Sequence, residues 1–439
     1  MALIEKHPAL CVFPYSTLDV RINEQSRAEI FQTCCCNLKA DMFDATPGTD
    51  PFAEIKQIQE QGQWPAACRN CKWEEDNGGQ SERLRAFVEI PLDRLEKFVE
   101  SRHIEEYEFR IKFSNLCNLA CRSCSPYESS TFAKVTNAII PDKFEKDISE
   151  SEPHWDFITK TILEKHNQYR YFFVHLIGGE TLVQPGMQKI LTWIIDQGIA
   201  DKISLRITTA LTVNPREELL EQLSQFRSAN ILLSIDSVGD NYSYVRSPAR
   251  FEKIRRNIDT LIDYKLINNK PRWNCSVSPV FSLNNIFYIN DWLDYWHQWY
   301  QQRGFAFHNY AANLVAETVH LDIQALPMQY RTPLIDLLRT CLNHDIFRAW
   351  PGQMRGIYNF INTTIGELET APERLDLWEK YLKHTAYFDK KTNMDFAVLN
   401  QRFYSLLSES DRNLFETTKQ NINTQDSLVK TIYFISARQ

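Results

Sequence analysis

Three cysteines lie close together in the segment FSNLCNLACRSC, at Cys117, Cys121 and Cys124. Three residues and then two separate them, and the strand-like segment EFRIKF precedes them. Iron–sulfur clusters are normally held by four thiolates, so three close cysteines can bind three irons of a cubane [4Fe–4S] cluster and leave the fourth iron for an exchangeable ligand. The alternatives are a zinc site, which needs a closed tetrahedral ligand set, or three buried structural cysteines. Because no fourth Cys or His follows closely, the spacing favours the cluster.

The spacing resembles the signature of the radical SAM superfamily, in which S-adenosylmethionine (SAM) chelates the open iron. The resemblance implies that Cys117, Cys121 and Cys124 are the catalytic cluster ligands, and that the reduced cluster cleaves SAM to a 5′-deoxyadenosyl radical. One position departs from the superfamily pattern. The residue before the last cysteine, often aromatic in these enzymes, is Ser123. The adenine contact then falls to backbone atoms or to Tyr127.

Two segments downstream match further parts of the superfamily pattern. The segment IGGETL contains Gly178, Gly179 and Glu180 at the end of an expected strand. Glycines allow close approach of the backbone, and a carboxylate can accept hydrogen bonds from an ammonium group. A strand-ending turn also explains this segment when it is taken alone. The resemblance implies that Glu180 holds the methionyl amine of SAM and that Thr209, in RITTALTVNP, lies near the ribose and methionyl group.

A third match lies in LLSIDSVGDNYSYVRSPARFEKIRRNI. By the resemblance, Ser234 and Asp236 lie near the SAM ribose and carboxylate. Arg246 is then the partner of the methionyl carboxylate, a role for which the planar guanidinium is suited because it forms two parallel hydrogen bonds. Each of these residues taken alone is more typical of a cap or a surface position. Their order along the chain carries the assignment.

The first hundred residues contain a second group of cysteines. The candidates for a complete four-thiolate site are Cys11, one of Cys34, Cys35 and Cys36, then Cys68 and Cys71. A structural zinc ribbon is the alternative, because a CxxC pair with distant cysteines serves it equally well. The pattern resembles half of a SPASM domain, the twitch element that holds one auxiliary [4Fe–4S] cluster. Within the triple run, the first two positions, Cys34 and Cys35, are favoured as ligands.

Between residues 108 and 313 the chain alternates short apolar runs with amphipathic segments, which indicates parallel β/α units. The expected strands cover 108–114, 171–179, 202–209, 230–237, 273–281 and 304–311. The sequence therefore predicts an α/β fold: a partial (β/α)6 TIM-like barrel with an N-terminal twitch-like Fe–S module and a C-terminal helical region. Ligands of such barrels bind at the carboxyl ends of the strands. The expected boundaries are 1–100 for the module, 101–315 for the barrel and 316–439 for the helices.

The composition restricts the class of protein. The 439 residues are 43% apolar with a net charge of −7, so no polybasic surface indicates nucleic-acid binding. No apolar run is long enough to cross a membrane. Eleven cysteines without an apolar leader segment favour metal binding in a reducing compartment, and the sequence predicts a cytoplasmic protein.

Three classes of function fit these features. The first is a radical SAM enzyme that cross-links or epimerises a residue of a ribosomal precursor peptide, supplied with electrons by a flavodoxin or a ferredoxin. The second is a radical SAM enzyme acting on a small molecule, such as a sugar, nucleotide or cofactor precursor. The third is a non-catalytic iron–sulfur or zinc protein. For epimerisation, Cys275 on the expected fifth strand is the candidate hydrogen donor, although a buried structural cysteine is the simpler interpretation.

Overall fold

The computed structural model describes residues 7–21, 31–35, 50–76, 81–140, 144, 146–304, 307, 313–314 and 318–422. The strands within them are β1 (Thr17–Arg21), β2 (Phe31–Thr33), β3 (Glu106–Lys112), β4 (Ala120–Cys121), β5 (Tyr171–Ile177), β6 (Ile203–Thr209), β7 (Ser228–Leu233), β8 (Arg246–Ser247), β9 (Trp273–Val277), β10 (Val280–Phe281) and β11 (Asn313–Leu314). The helices are α1 (Phe13–Ser16), α2 (Ala53–Glu60), α3 (Arg69–Asp76), α4 (Glu82–Glu89), α5 (Leu92–Ser101), α6 (Ser130–Val135), α7 (Glu152–Gln168), α8 (Pro185–Asp196), α9 (Glu217–Gln225), α10 (Gly239–Val245), α11 (Phe251–Ile267), α12 (Ile289–Arg303), α13 (Met328–Cys341), α14 (Asp345–Ala349), α15 (Arg355–Thr370), α16 (Leu375–Thr392), α17 (Phe396–Leu399), α18 (Gln401–Leu406) and α19 (Glu409–Asn421).

A seven-stranded sheet forms the centre of the fold, in the order β2-β1-β3-β5-β6-β7-β9. Six of these strands are parallel: β1, β3, β5, β6, β7 and β9. The seventh, β2, pairs antiparallel with β1 at the edge. Helices connect the successive parallel strands from β3 onward, as parallel pairing requires. The α/β class, the partial barrel and the C-terminal helical region are therefore confirmed.

The sheet differs from the prediction at both ends. Its first parallel strand is β1, Thr17–Arg21, which the sequence analysis missed, and β1 pairs with β3. The expected strand 273–281 is interrupted after Val277, because Pro279 has no N–H to donate to a ladder. The short β10 that follows pairs with β11 in a separate two-stranded sheet. The expected strand 304–311 lies for the most part outside the described residues.

The two faces of the main sheet differ sharply in polarity. One set of register partners runs across all six parallel strands and is apolar: Val20, Ile111, Leu176, Ile207, Ile231 and Cys275. We call this the apolar row; it is buried in the main hydrophobic core together with residues of the surrounding helices. The residue preceding each member forms a second set on the opposite face: Asp19, Arg110, His175, Arg206, Asn230 and Asn274. We call this the polar row.

The face that carries the polar row lines the inside of the curled sheet. Parallel register partners point to the same side of a sheet, and alternate residues along a strand point to opposite sides. The helices pack on the apolar side, so the polar side chains are left to face the interior of the open barrel. Among the described helices, none is long and apolar enough to cross a membrane.

Candidate active site

Cys117 lies in the loop that follows β3, at the carboxyl end of the sheet. The start of α6 holds the backbone of this loop. The Cys117 N–H donates to Ser130 Oγ at 3.2 Å, and Thr131 Oγ1 donates to the Cys117 carbonyl at 2.6 Å. Ser129 caps α6 through the Phe132 N–H and donates its own hydroxyl to the Leu119 carbonyl at 2.5 Å. The serine pair after the cysteine motif therefore fixes the loop that carries the first thiol.

Cys121 and Cys124 are held by a second set of backbone contacts. Cys121 lies in β4, which pairs antiparallel with β8 so that Cys121 is the register partner of Arg246. The Cys124 N–H donates to the Cys121 carbonyl at 3.0 Å. Burial raises the pKa of the Cys121 thiol to about 12, and burial together with the charges of Cys121 and Cys117 raises the pKa of Cys124. The three thiols are thus close enough to influence one another.

The thiols do not converge on a single point. In the part of the chain that the structure describes, no three His, Cys, Asp or Glu side chains are placed to hold one metal ion. A cubane cluster does not require this, because each thiolate binds a different iron. Three thiols from one loop, one buried and two half-buried, lie close to each other and to a guanidinium, and this donor set fits such a cluster.

The two glycines after β5 make room for the cysteine loop. Gly178 has a φ of 89° and Gly179 a φ of 50°, in the region that favours glycine. A Cβ on Gly179 would lie 2.1 Å from the Leu116 carbonyl oxygen, and one on Gly178 would lie 2.3 Å from Lys112 Cγ. The sequence suggested close approach of a ligand at these glycines. The structure shows close approach of the backbone next to Cys117.

Glu180 is almost fully buried and already accepts several hydrogen bonds. Its carboxylate accepts from the hydroxyl of Thr209, from the Ala210 N–H at 2.9 Å and from the Leu182 N–H at 3.3 Å. Burial raises the pKa of Glu180, although these donors oppose the rise. A carboxylate has about four acceptor positions, so capacity for a further donor remains. Glu180 and Thr209, both predicted to lie near SAM, are therefore in direct contact.

Asp236 and Arg246 form a bidentate ion pair beside the cysteines. Arg246 Nε and Nη2 lie 2.7 and 2.9 Å from the two carboxylate oxygens of Asp236, which is fully buried. The third guanidinium nitrogen, Nη1, lies 3.8 Å from Cys121 Sγ. Asp236 also accepts the Val280 N–H at 2.9 Å, which fixes its orientation. Arg246 therefore points at the cysteine loop with one terminal nitrogen while Asp236 holds the rest of the fork.

Two other predicted residues flank this group. Ser234 is half-buried, and its N–H donates to the Thr209 carbonyl at 2.9 Å, which places it at the carboxyl ends of β6 and β7. Tyr127 is half-buried and packs edge-on against Phe144 with the ring centroids 5.1 Å apart. The Ser123 carbonyl accepts from Thr318 Oγ1 at 3.5 Å.

Arg122, which lies between two of the cysteines, is a further residue of this loop that the sequence did not predict. Its guanidinium is buried and bonds to the Tyr244 carbonyl at 2.9 Å and to Asp389 at 2.6 Å. It also stacks 3.7 Å from the Tyr244 ring centroid. Asp389 lies on α16, 267 residues further along the chain, and in turn accepts the Phe396 N–H at 2.5 Å. No local sequence signal pairs Arg122 with an aspartate so distant in the sequence.

The N-terminal cysteines also come together. Burial raises the pKa of Cys11, and the charges of Cys35, Cys68 and Cys71 raise it further. Cys34 interacts with Cys35 and with the charges of Cys11 and Cys68. Cys36 lies outside the described residues. Five of the six predicted cysteines thus influence one another electrostatically, although no three of these described side chains are placed to hold one metal ion.

Cys275 belongs to the apolar row. It is 1% exposed, pairs in register with Ile231, and lies in the main hydrophobic core. Burial raises the pKa of its thiol to about 12. Trp273 and Val277 share its face, as strand alternation predicts, but that face is the one covered by helices. This position is typical of a structural cysteine.

A further set of polar residues escaped the sequence analysis. Glu108 accepts from His175 Nδ1 at 2.8 Å, Arg206 Nη1 at 2.7 Å and Arg110 Nη2 at 3.0 Å. His175 Nε2 lies 2.9 Å from Thr208 Oγ1. The available signal was the alternation within EFRIKF and SLRITT, where every second residue is polar although the strands are expected to be buried.

Residues 111–282 match the family model described as the Radical SAM superfamily. The matched segment contains the three cysteines of the loop and the Glu180, Asp236 and Arg246 positions. This segment is a radical SAM domain, and the prediction of such a domain is confirmed for these residues. The N-terminal cysteines precede the matched residues. No curated protein sequence matches the chain.

The chain is also similar to solved structures at low identity. The structure of anSMEcpe with bound AdoMet is 18% identical, with 55% of this chain and 62% of that chain covered and a TM-score of 0.38. Streptococcus suis SuiB bound to its precursor peptide SuiA is 11% identical, with 95% and 92% covered and a TM-score of 0.36. SuiB bound to S-adenosylmethionine is 13% identical, with 74% and 67% covered and a TM-score of 0.33. The chain spans about three-fifths of the length of anSMEcpe. TM-scores at this level carry no weight for function.

Proposed function

We propose that this radical SAM domain binds a [4Fe–4S] cluster through Cys117, Cys121 and Cys124 and uses it to cleave SAM reductively. The observation that supports this most strongly is the arrangement around the cysteine loop. Three mutually close thiols lie at the carboxyl end of the sheet beside the Arg246 guanidinium. Bound together, the cluster and SAM supply a 5′-deoxyadenosyl radical.

Two side chains of this site are suited to hold the amino acid part of SAM. Glu180 retains acceptor capacity for an ammonium group after its three internal hydrogen bonds. Arg246 presents Nη1 on the side of Cys121 while Asp236 orients the guanidinium. We assign the methionyl amine to Glu180 and the carboxylate to Arg246. The side of the pocket near the ribose is then formed by Ser234, Asp236 and Thr209. The cysteine loop packs against Gly178 and Gly179.

We propose that the N-terminal cysteines hold an auxiliary [4Fe–4S] cluster. The ligands are Cys11, Cys68, Cys71 and either Cys34 or Cys35. Their mutual electrostatic influence supports a shared site, and the resemblance of the segment to a twitch element favours iron–sulfur over zinc. Full thiolate ligation leaves no open iron, so this site would serve structure and electron transfer. A flavodoxin or a ferredoxin is the expected electron donor.

For the substrate, we propose a ribosomal precursor peptide that is cross-linked or epimerised. The twitch-like N-terminal segment supports this class, since many enzymes with such elements modify peptides. The second candidate is a small molecule such as a sugar, nucleotide or cofactor precursor. The polar interior of the barrel is compatible with both classes.

Anaerobic reconstitution tests both cluster assignments in one experiment. The wild-type chain is expected to bind about eight irons. Replacing Cys117, Cys121 and Cys124 with Ala is expected to remove about four of these irons and to abolish the formation of 5′-deoxyadenosine. Replacing Cys68 and Cys71 with Ala is the matched control and is expected to remove the other four. SAM cleavage that survives the first triple substitution would exclude the assignment, and zinc at the N-terminal site would exclude the auxiliary cluster.

Product mass separates the substrate classes. Incubation with a candidate peptide is expected to yield a product that is lighter by two hydrogens if it is cross-linked. In deuterated water, epimerisation is expected to add one mass unit to the peptide. An unchanged peptide, with SAM cleavage stimulated by a small molecule instead, would favour the second candidate.

A further inference from the structure

The interior of the barrel carries a local charge opposite to that of the whole protein. The chain has a net charge of −7, yet four cations are grouped with three carboxylates around the polar row: Arg21, Arg110, Lys112 and Arg206 with Asp19, Glu108 and Glu128. Burial and the charges of Arg206 and Arg110 lower the pKa of His175, so the imidazole adds no further charge at neutral pH. One positive charge is therefore in excess on a surface enclosed by the sheet, where water screens charges less than at an exposed site.

Glu108 orients this surface. Burial alone would raise the pKa of Glu108, but the hydrogen bond from His175 and the charges of Arg110 and Arg206 hold it well below its usual value. The anionic carboxylate thus receives three donors, from β5, β6 and its own strand β3. Arg206 is additionally packed with its guanidinium 5.0 Å from the Phe173 ring centroid. Its side chain is held in place before any ligand arrives.

The guanidinium of Arg206 has N–H donors that no described residue accepts. Within the described chain, its only hydrogen bond runs from Nη1 to Glu108, so Nε and Nη2 bond to none of the described residues. The side chain is 31% exposed although it lies on a central strand of the sheet. Five N–H groups in a planar fork match the geometry of a carboxylate. An oriented guanidinium with an accessible edge is therefore a ready partner for an anionic group inside the barrel.

The position of Arg206 relates this edge to the radical chemistry. Arg206 lies three residues before Thr209, whose hydroxyl binds Glu180. At the strand rise of about 3.3 Å per residue, the guanidinium is attached about 10 Å below the end of the strand. A substrate whose reacting carbon lies at the carboxyl end of the sheet would extend a side chain of ordinary length towards Arg206.

We propose that Arg206, oriented by Glu108, is the subsite for a carboxylate of the substrate, and that the substrate class is a peptide with an acidic side chain near the reacting residue. This inference rests on the proposed function for the position of the reacting carbon. Carboxylate binding itself can be measured without turnover.

The test is binding of two matched peptides to the full chain with reconstituted clusters, measured by ligand-observed NMR. The probes are acetyl-Ala-Glu-Ala-amide and acetyl-Ala-Gln-Ala-amide, which differ only in charge. The Glu peptide is expected to bind about tenfold more tightly, because hydrogen bonds to a charged group are the stronger ones. Arg206→Gln is expected to lower the affinity for the Glu peptide about tenfold and to change the affinity for the Gln peptide by less than about twofold.

The controls keep the result interpretable. Arg255→Gln removes an arginine from the outer helix α11, where it pairs with Asp259, and is expected to leave both affinities unchanged. Arg206→Lys keeps the positive charge but lacks the planar fork, and is expected to lower the affinity for the Glu peptide by an intermediate factor. If Arg206→Gln does not fold, the Arg206→Lys variant is used for the test in its place. Equal affinity for the two peptides, or equal loss in the variant, would overturn the proposal.

Binding of glutarate, a small dicarboxylic acid, tests whether the carboxylate belongs to a peptide side chain or to a small molecule. Tighter binding of the Glu peptide than of glutarate assigns the subsite to a peptide side chain. The reverse result would overturn the peptide assignment and leave the subsite to a small acid. Both measurements are independent of SAM cleavage, so failure of the proposed reaction is distinguishable from failure of this subsite.

Discussion

The two faces of the central sheet are built from adjacent residues of the same six strands, yet they have opposite chemical character. The apolar row passes from Val20 to Cys275 through branched aliphatic and leucine side chains, all buried against the helices. The polar row, one residue earlier on every strand, carries charges and amides along the inside of the barrel. One face gains free energy by excluding water, and the other keeps hydrogen-bonding groups available. Strand alternation therefore places an apolar core and a polar hydrogen-bond network on opposite faces of the same strands.

The largest effect is expected from shortening the apolar row. Ile207→Ala removes a side chain that is 2% exposed on a central strand, and should lower the free energy of unfolding by about 2–5 kcal/mol, through lost burial and the cavity that remains. Its matched control on the opposite face is Asn230→Ala, which removes a 2.9 Å hydrogen bond to Asn274 at a half-buried site and should cost about 1 kcal/mol. Urea denaturation measures both. Equal losses would contradict the division of roles between the faces.

A smaller effect is expected from Glu108→Gln, which removes the charge that orients the polar face. We expect a loss of about 1–3 kcal/mol at neutral pH, because Arg110 and Arg206 lose their partner. The native pKa of Glu108 is lowered, so its stabilisation is present above about pH 4.5 and is lost as the pH falls through the native pKa. The wild type and the variant should therefore converge in acid. A difference in stability that stays constant down to pH 3 would argue against the ionised network.

The smallest effect is expected from Cys275→Ala, which tests whether the sixth residue of the apolar row donates hydrogen to the substrate. The substitution removes one buried sulfur atom and should cost about 1 kcal/mol without changing the amount of product formed. Cys275→Ser should cost more, since it buries a hydroxyl in the apolar row. Loss of product from a stably folded Cys275→Ala variant, with SAM cleavage intact, would restore the hydrogen-donor role.

The sequence predicted the strands that follow a simple hydrophobic pattern. The segments at β3, β5, β6, β7 and β9 are apolar runs between helices in the sequence, and each of them forms a strand in the structure. β1 was missed because TLDVR is short and contains two charged residues. Asp19 pairs with Arg21 on the polar face of the same strand. The burial of β1 depends on its parallel pairing with β3, which is distant in the sequence.

The candidate site was predictable where it is encoded locally. The spacing of Cys117, Cys121 and Cys124 and the order of Glu180, Asp236 and Arg246 are visible in single segments. The Glu108 network was not, because its four members come from three strands and meet only through the register of the sheet. Sequence spacing specifies chemistry within one loop, and the pairing of strands specifies chemistry across the barrel.

The contact between Arg122 and Asp389 has a consequence for the order of events during synthesis. The loop that carries the three cysteines is complete early in translation, but its buried guanidinium has no counter-charge until residue 389 has been made, 267 residues later. An arginine buried without its partner is strongly destabilised, so the nascent loop is not held in its final shape. Under the proposed function, we therefore expect iron and sulfide to be delivered to this loop after the ribosome has finished helix α16.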